Sequence, residues 1–366
     1  MAEPDRLRVA AVLAADAELE ARAHRAAALD ADAHQFADAR DVEGDEGILV
    51  GRATDPAALA LLDERGDVDY QVIETLAVAD LDARIADLDA ILLGLTPVTE
   101  ATVAKATRLK VVSRFGVGYD NVDVAALTAR GIPLTTVGDA NAVTVAEHAL
   151  MLMLAASREL VVHDAAVRGG DYGLRGQRKR ADLWRKTVLV IGFGRIGRRV
   201  ARLCAALEMT VIVADPFAEP DAVQAAGFRH LKDFRDGLGE ADFVTLHMPG
   251  QPDGAPVLGR AEFAAMKPGA FLVNTARGSL IDEDALHQAL TGGHLRGAGL
   301  DVMRQEPPET GNPLLGLENL VLTPHIGSLT EEGVGRMAME SVRNCLDAID
   351  GRLRPDYVVN QEVLGG

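Results

Sequence analysis

The stretch that decides the fold is LVIGFGRIGRRVA, residues 189–201. Apolar residues run unbroken to Ile191, the glycines Gly192, Gly194 and Gly197 follow, and then Arg alternates with Val and Ala. An apolar run that feeds a glycine turn and then a helix-like pattern reads as a buried strand, a tight loop and a helix. Each glycine at this spacing has its own task. Gly192 permits the turn, Gly194 lets a pyrophosphate approach the backbone, and Gly197 lets the helix pack on the strand. The helix start, at Arg195 and Ile196, then offers unpaired N–H groups to an anion. Asp215 closes the next apolar run, TVIVAD, near the ~20-residue distance at which a carboxylate meets an adenosine ribose hydroxyl. That carboxylate repels a ribose 2′-phosphate, and no arginine follows in DPFAEP (215–220), so the expected cofactor is NAD.

This fingerprint lies past the middle of a 366-residue chain, long enough for two domains. Working outward, strands alternate with helices on both sides of it. Upstream come GILVGR, a helix DPAALALLDERG, DAILLGL, a helix TEATVAKAT with Thr99 as its cap, and KVVSRFG. Downstream come TVIVAD, DFVTLH, AFLVNTA, GAGLDV and LVLTPH. Alternation of this kind predicts parallel sheets. The apolar stretch NAVTVAEHALMLMLAASREL reads as a helix connecting the two series, and TEEGVGRMAMESVRNCLDAID as a helix near the C-terminus. Residues 1–44 are either an added βα unit, with LRVAAVLA as its strand, or an extension.

Charge narrows the partners. Asp and Glu number 55 against 37 Lys and Arg, a formal net charge of −18. A field of that sign repels nucleic acid and anionic membranes, so neither is expected, and an anionic substrate must be held by local groups. The two cysteines, Cys204 and Cys345, are far apart with no metal-ligand spacing, which predicts buried thiols in a reducing cytoplasm and no metal site. No apolar run reaches the ~18 residues of a membrane span.

Five motifs occur in order: SRFGVGYDNVD (113–123), GFGRIG (192–197), NTARGSLIDEDAL (274–286), GAGLDVMRQEP (297–307) and LTPHIGSLTEE (322–332). Together they resemble the D-isomer-specific 2-hydroxyacid dehydrogenase family over roughly residues 47–364. The resemblance implies an α/β protein of two doubly wound parallel-sheet domains. A Rossmann NAD domain (144–325) is inserted in a flavodoxin-like substrate domain (45–143 and 326–366), to which the tail VVNQEVL returns. It implies that Arg277 binds the substrate carboxylate and polarises the carbonyl, that His325 donates and accepts the proton, and that Glu306 pairs with His325. It further implies that Asp301 holds the nicotinamide end of the cofactor and that Val117 and Gly118 offer N–H groups to the carboxylate. Thr275 and His247 are placed with the cofactor, Thr144 and Glu147 at the start of the hinge helix, and His148, His230 and His294 are read as structural. A homodimer is expected, with the helix from Val143 to Leu160 at or near its interface.

The chemistry asks for these groups. Reducing a 2-oxo acid makes the carbonyl oxygen increasingly negative, so a positioned acid titrating near neutrality is needed. A carboxylate beside the imidazole raises its pKa, and a planar guanidinium matches a carboxylate while keeping its charge. Taken one at a time, His325, Arg277 and Glu306 are ordinary strand-end and loop residues. Their order behind the glycine fingerprint favours catalysis. Two alternatives stand beside the dehydrogenase of a small 2-hydroxy acid: a D-3-phosphoglycerate dehydrogenase, and an NAD(H)-sensing binding protein of the corepressor type. The phosphoglycerate branch often carries Arg in the loop after the strand matching AILLG. Here that loop is GLTPVTE (94–100), without a cation, and an unphosphorylated 2-oxo acid such as glyoxylate or hydroxypyruvate is expected to be preferred. Arg114 is the nearest cation in a motif.

Overall fold

The computed structural model describes residues 46–365 apart from 52–54, 74–75, 179 and 252. The expectation for residues 1–44, including the strand LRVAAVLA, lies outside the described residues.

The first sheet comprises β1 (Glu46–Val50), β2 (Val68–Val72), β3 (Ala90–Leu93), β4 (Val111–Arg114) and β5 (Leu134–Thr135). They lie in the order β2-β1-β3-β4-β5, every pair parallel. That is the flavodoxin-like order. The second sheet comprises β6 (Thr187–Ile191), β7 (Thr210–Ala214), β8 (Arg229–Leu231), β9 (Phe243–Leu246), β10 (Ala270–Asn274), β11 (Leu295–Leu300) and β12 (Leu320–Leu322). Their order is β12-β11-β10-β9-β6-β7-β8, again all parallel. The strand order reverses at β6, the place where a doubly wound sheet opens a crevice for a ligand.

Central strands are covered on both faces, which is why AILL of β3 and AFLVN of β10 are buried at every position. The strands not anticipated, β2, β5 and β8, are all edges. The pattern along β8 never reaches full burial, and β2 fades from buried to exposed along its length.

Helix α1 (Pro56–Asp63) starts on the Asp55 side chain, which accepts from the Ala57 N–H. As expected, the Thr99 hydroxyl accepts from the Thr102 N–H at the start of the helix Glu100–Val103. Helix α2 (Ala142–Arg158) is the expected connector, and it lays Ala146, Ala149, Leu152 and Met153 into the core of the second sheet. The apolar pattern runs on to Leu160 without a break, but the helix does not. The chain turns at Glu159, φ 51°, and starts a second helix, α3 (Leu160–Arg168). Helix α4 (Arg195–Ala206) follows the glycine loop. Helix α5 (Glu331–Ile349) returns to the first sheet and buries Met337, Ala338, Val342 and Cys345 against Ile48, Leu92, Val111 and Phe115. The tail closes on β5: the Thr136 N–H donates to the Tyr357 carbonyl, the Val359 N–H to that of Leu134, and Asn360 bonds both Leu134 and Ile132. The second sheet is thus carried between two segments of the first lobe.

Cys204 and Cys345 are buried and unpaired, and burial pushes both thiols up to about 12. Among the described residues, no helix is long and apolar enough to cross a membrane.

Candidate active site

The loops leaving the C-terminal ends of β10, β11 and β12, three adjacent strands, carry Arg277, then Asp301 and Glu306, then His325. Their convergence follows from parallel pairing alone, since every strand end points the same way. Where the loops touch, backbone meets backbone: a Cβ on Gly278 would lie 2.0 Å from the Met303 carbonyl carbon.

His325 Nδ1 lies 2.7 Å from Glu306 Oε2. The other oxygen, Oε1, accepts from the Met303 N–H at 2.9 Å, which orients the carboxylate toward the imidazole. The bond to Glu306 raises the His325 pKa above its ordinary value despite partial desolvation of the half-exposed ring. Partial desolvation works to raise the Glu306 pKa, yet the bonds from His325 and the Met303 N–H hold it below the usual carboxylate range. The pair therefore favours imidazolium next to carboxylate.

Asp301 is buried beneath this pair. Its Oδ1 accepts from the Thr323 hydroxyl at 2.6 Å and the Ile326 N–H at 2.9 Å, and its Oδ2 from the Gly327 N–H at 2.8 Å. Three donors from residues 323–327 thus tie down the loop that carries His325. His148, read from sequence as merely structural, reaches into the same cluster from α2. Its Nε2 lies 2.9 Å from the Thr323 hydroxyl and 3.2 Å from Asp301 Oδ1. Thr144, one turn earlier, accepts from Arg336 of α5 at 2.8 Å, and Glu147 is exposed.

Arg277 crosses from the second lobe to the first. Its Nε donates to Asp120 Oδ2 at 2.7 Å and its Nη1 to the Ala276 carbonyl at 2.6 Å. Nη2 stands against Gly118, where an added Cβ would lie only 1.7 Å from it. The N–H groups of Val117 and Gly118 have no acceptor among the described residues. Arg114 is buried behind this loop, with Nε on the Gly118 carbonyl at 2.6 Å and Nη1 on that of Leu93 at 2.9 Å. It braces the loop from inside the lobe.

The glycine loop has the form its spacing predicts. Gly192 has φ 94°, and a Cβ there would lie 2.5 Å from the His247 carbonyl oxygen. A Cβ on Gly197 would lie 2.0 Å from the Gly192 carbonyl, whereas one on Gly194 meets nothing within 4 Å. The loop thus packs tightly at both ends and is open in the middle. Asp215 Oδ2 accepts from the Phe193 N–H at 2.7 Å and Oδ1 from the Phe217 N–H at 2.8 Å, so the carboxylate is fixed beside the loop. Arg195 bonds the Asp356 carbonyl at 3.1 Å, and Ile196 packs partly buried on the core. His247 bonds the Thr245 hydroxyl at 2.8 Å, and burial pushes its pKa down to about 3, leaving it neutral. Thr275, at the end of β10, has a buried hydroxyl with no hydrogen-bond partner among the described residues, one of the groups a bound cofactor would satisfy. A fixed carboxylate, an open glycine and an unpartnered hydroxyl along one sheet edge all fit a dinucleotide.

Fold and loop together define a dinucleotide-binding protein. Residues 150–327 match the family model described as D-isomer specific 2-hydroxyacid dehydrogenase, NAD binding domain. The chain is 40% identical over 323 residues to a D-3-phosphoglycerate dehydrogenase of Methanocaldococcus jannaschii, covering 85% of this chain and 60% of that one. It is similar to a solved protein of Thermus thermophilus, with 36% identity, a TM-score of 0.75, and coverage of 86% of this chain and 99% of that one. A glyoxylate reductase from Paecilomyes thermophila has a TM-score of 0.79 at 29% identity, covering 87% and 99%. The chain belongs to the D-isomer specific 2-hydroxyacid dehydrogenase family and carries its NAD-binding domain. It spans about 60% of the length of the phosphoglycerate dehydrogenase it matches.

Proposed function

We propose that this chain passes a hydride between NAD(H) and a small D-2-hydroxy acid/2-oxo acid couple. The observation that carries the reading is the 2.7 Å bond between His325 Nδ1 and Glu306, which follow β12 and β11, in the same run of neighbouring strands as β10, which presents Arg277. In this reading residues 45–143 with 326–366 hold the substrate and 144–325 hold the cofactor. Gly192, Gly194, Arg195, Ile196 and Gly197 receive the pyrophosphate. Asp215 accepts from the adenosine ribose and disfavours a 2′-phosphate, while Thr275, His247 and the loop anchored by Asp301 face the nicotinamide end.

The substrate carboxylate meets Arg277 Nη2 and the N–H groups of Val117 and Gly118. Bound NAD(H) supplies or takes up the hydride. During reduction His325 Nε2, the ring nitrogen not engaged by Glu306, gives its proton to the carbonyl oxygen as negative charge develops there. Glu306 stabilises the imidazolium before transfer, and Arg277 polarises the carbonyl. In oxidation the same imidazole takes the hydroxyl proton.

A second reading, D-3-phosphoglycerate dehydrogenase, is favoured by the 40% identical relative. Against it, the loop 94–100 carries no cation and presents Leu95, 82% exposed. The His325–Glu306 pair also argues against a purely cofactor-sensing binding protein. The test is an NADH-oxidation screen across 2-oxo acids, repeated with NADPH. Turnover of a short 2-oxo acid with a strong preference for NADH is expected. No turnover of any 2-oxo acid would reject the activity, and equal kcat/KM with both cofactors would reject the placement of Asp215.

We further propose a homodimer. Much of the apolarity of α2 is buried within its own lobe, so the case for an interface rests on what remains outside. Met151, Leu154, Leu160, Val161 and Val167 are exposed along α2 and α3, an apolar surface that a second copy would cover. A monomeric mass by light scattering at micromolar concentration would reject it.

A further inference from the structure

The ion pair that ties Arg277 to the other lobe involves a residue to which the motifs assign no task. Asp120 lies two positions past Gly118 in the loop after β4, and its Oδ2 accepts from Arg277 Nε at 2.7 Å. Arg277 Nη1 is meanwhile held by the Ala276 carbonyl at 2.6 Å. A guanidinium is a rigid plane, so two fixed nitrogens determine where the third points. That third nitrogen, Nη2, has no acceptor among the described residues and is the one set against Gly118. Asp120 Oδ1 faces the loop after β9, where a Cβ on Gly250 would lie 3.5 Å from it and 3.7 Å from Arg277 Cγ. The pair is therefore lodged between three loops from both lobes.

Its exposure bears on its role. The Asp120 side chain is 62% exposed, and ion pairs this open to solvent contribute little to folding. Its effect falls on the direction of the Arg277 fork. Without an acceptor at Nε the long arginine side chain is held only at Nη1 and gains rotamer freedom, which substrate binding must then remove.

We propose that Asp120 is a positioning residue for the substrate carboxylate: it holds Arg277 Nε so that Nη2 faces the free N–H groups of Val117 and Gly118. The inference rests on the reading of Arg277 as the carboxylate-binding group. It assigns the orientation of that group, on the cofactor lobe, to a carboxylate on the substrate lobe. An oxygen acceptor at position 120 is what the geometry requires, so Asn, which retains one, preserves much of the effect, and Ala abolishes it.

The test compares the wild-type enzyme, Asp120→Ala, Asp120→Asn and Arg277→Gln. Steady-state NADH oxidation is followed with glyoxylate and hydroxypyruvate, NADH binding by fluorescence, and folding by thermal melting. Asp120→Ala should raise KM for the 2-oxo acid roughly tenfold or more, as expected when a binding group is mis-aimed, with a smaller change in kcat. Its NADH affinity should stay within about twofold and its melting temperature should not move. Asp120→Asn should recover most of the lost KM. An unchanged KM in Asp120→Ala overturns the proposal, as does an equal loss of NADH affinity, which would mark a general disturbance of the lobes. Asp120→Asn as impaired as Asp120→Ala also overturns it, because charge and not aim would then matter. Full turnover by Arg277→Gln would instead overturn the reading of Arg277 itself, and this proposal with it.

Discussion

His325 sits at φ 54°, a backbone region that side chains other than glycine rarely occupy. Its N–H donates to the Asp301 carbonyl at 2.8 Å, while the Asp301 carboxylate holds the residues on either side. The loop is over-determined, as strained functional positions are. Replacing His325 by Ala should lower kcat by ~10²–10⁴, the usual range for a lost general acid, with NADH binding intact. Near wild-type turnover in that variant would end the mechanism. Glu306 raises the His325 pKa, so the proton donor for reduction stays charged to a higher pH than a free imidazole would. Glu306→Gln removes that support, and the alkaline limb of kcat/KM for reduction should move toward acid. A pH profile that coincides with the wild type would show that the 2.7 Å contact has no electrostatic consequence.

At the scale of elements, the contact between α4 and the loop before it leaves no room for a side chain. A Cβ on Gly197 would lie 2.0 Å from the Gly192 carbonyl, which is backbone and has no room to rotate away. Gly197→Ala should therefore cost about 1–3 kcal/mol, as overpacking does, and weaken NADH binding by shifting the helix start. Denaturant unfolding and a fluorescence titration check both, and a variant as stable and as tight-binding as the parent would refute the packing argument. Elements also mark where sequence reading stops. The central strands stand out because burial on both faces makes them continuous apolar runs, as in TVLVI of β6. The edge strands β2 (VDYQV) and β8 (RHL) lack that signal, since one side of each meets solvent or loops. The break at Glu159 was hidden for another reason: no Gly or Pro marks it, and helical spacing continues on both sides.

For the whole molecule, the net charge of −18 makes local cations decisive for an anionic substrate. Arg277 is paired with Asp120, and Arg114 is directed at the carbonyls of Leu93, Gly94 and Gly118. The loop 94–100 adds no cation. A phosphate would meet little compensation there, so kcat/KM should be higher for glyoxylate or hydroxypyruvate than for phosphohydroxypyruvate. The reverse order would point to a phosphate ligand outside these groups and favour the phosphoglycerate reading.

Parallel sheets, a dinucleotide loop at Gly192–Gly197 and candidate groups at Arg277, Glu306 and His325 were all legible in the chain alone. The sheets and the loop depend on short-range pattern, apolar runs and glycine spacing, whereas the three site groups owe their legibility to the order of motifs that resembles the family. The bond from Asp120 to Arg277, the clamp of Asp301 on residues 323–327 and the approach of His148 to Thr323 were not. They join residues 157, 22 to 26 and 175 positions apart, on elements whose neighbourhood is set by strand order and helix packing. No periodicity in the sequence records which strand lies beside which. Only the assembled sheets bring these side chains within hydrogen-bonding distance.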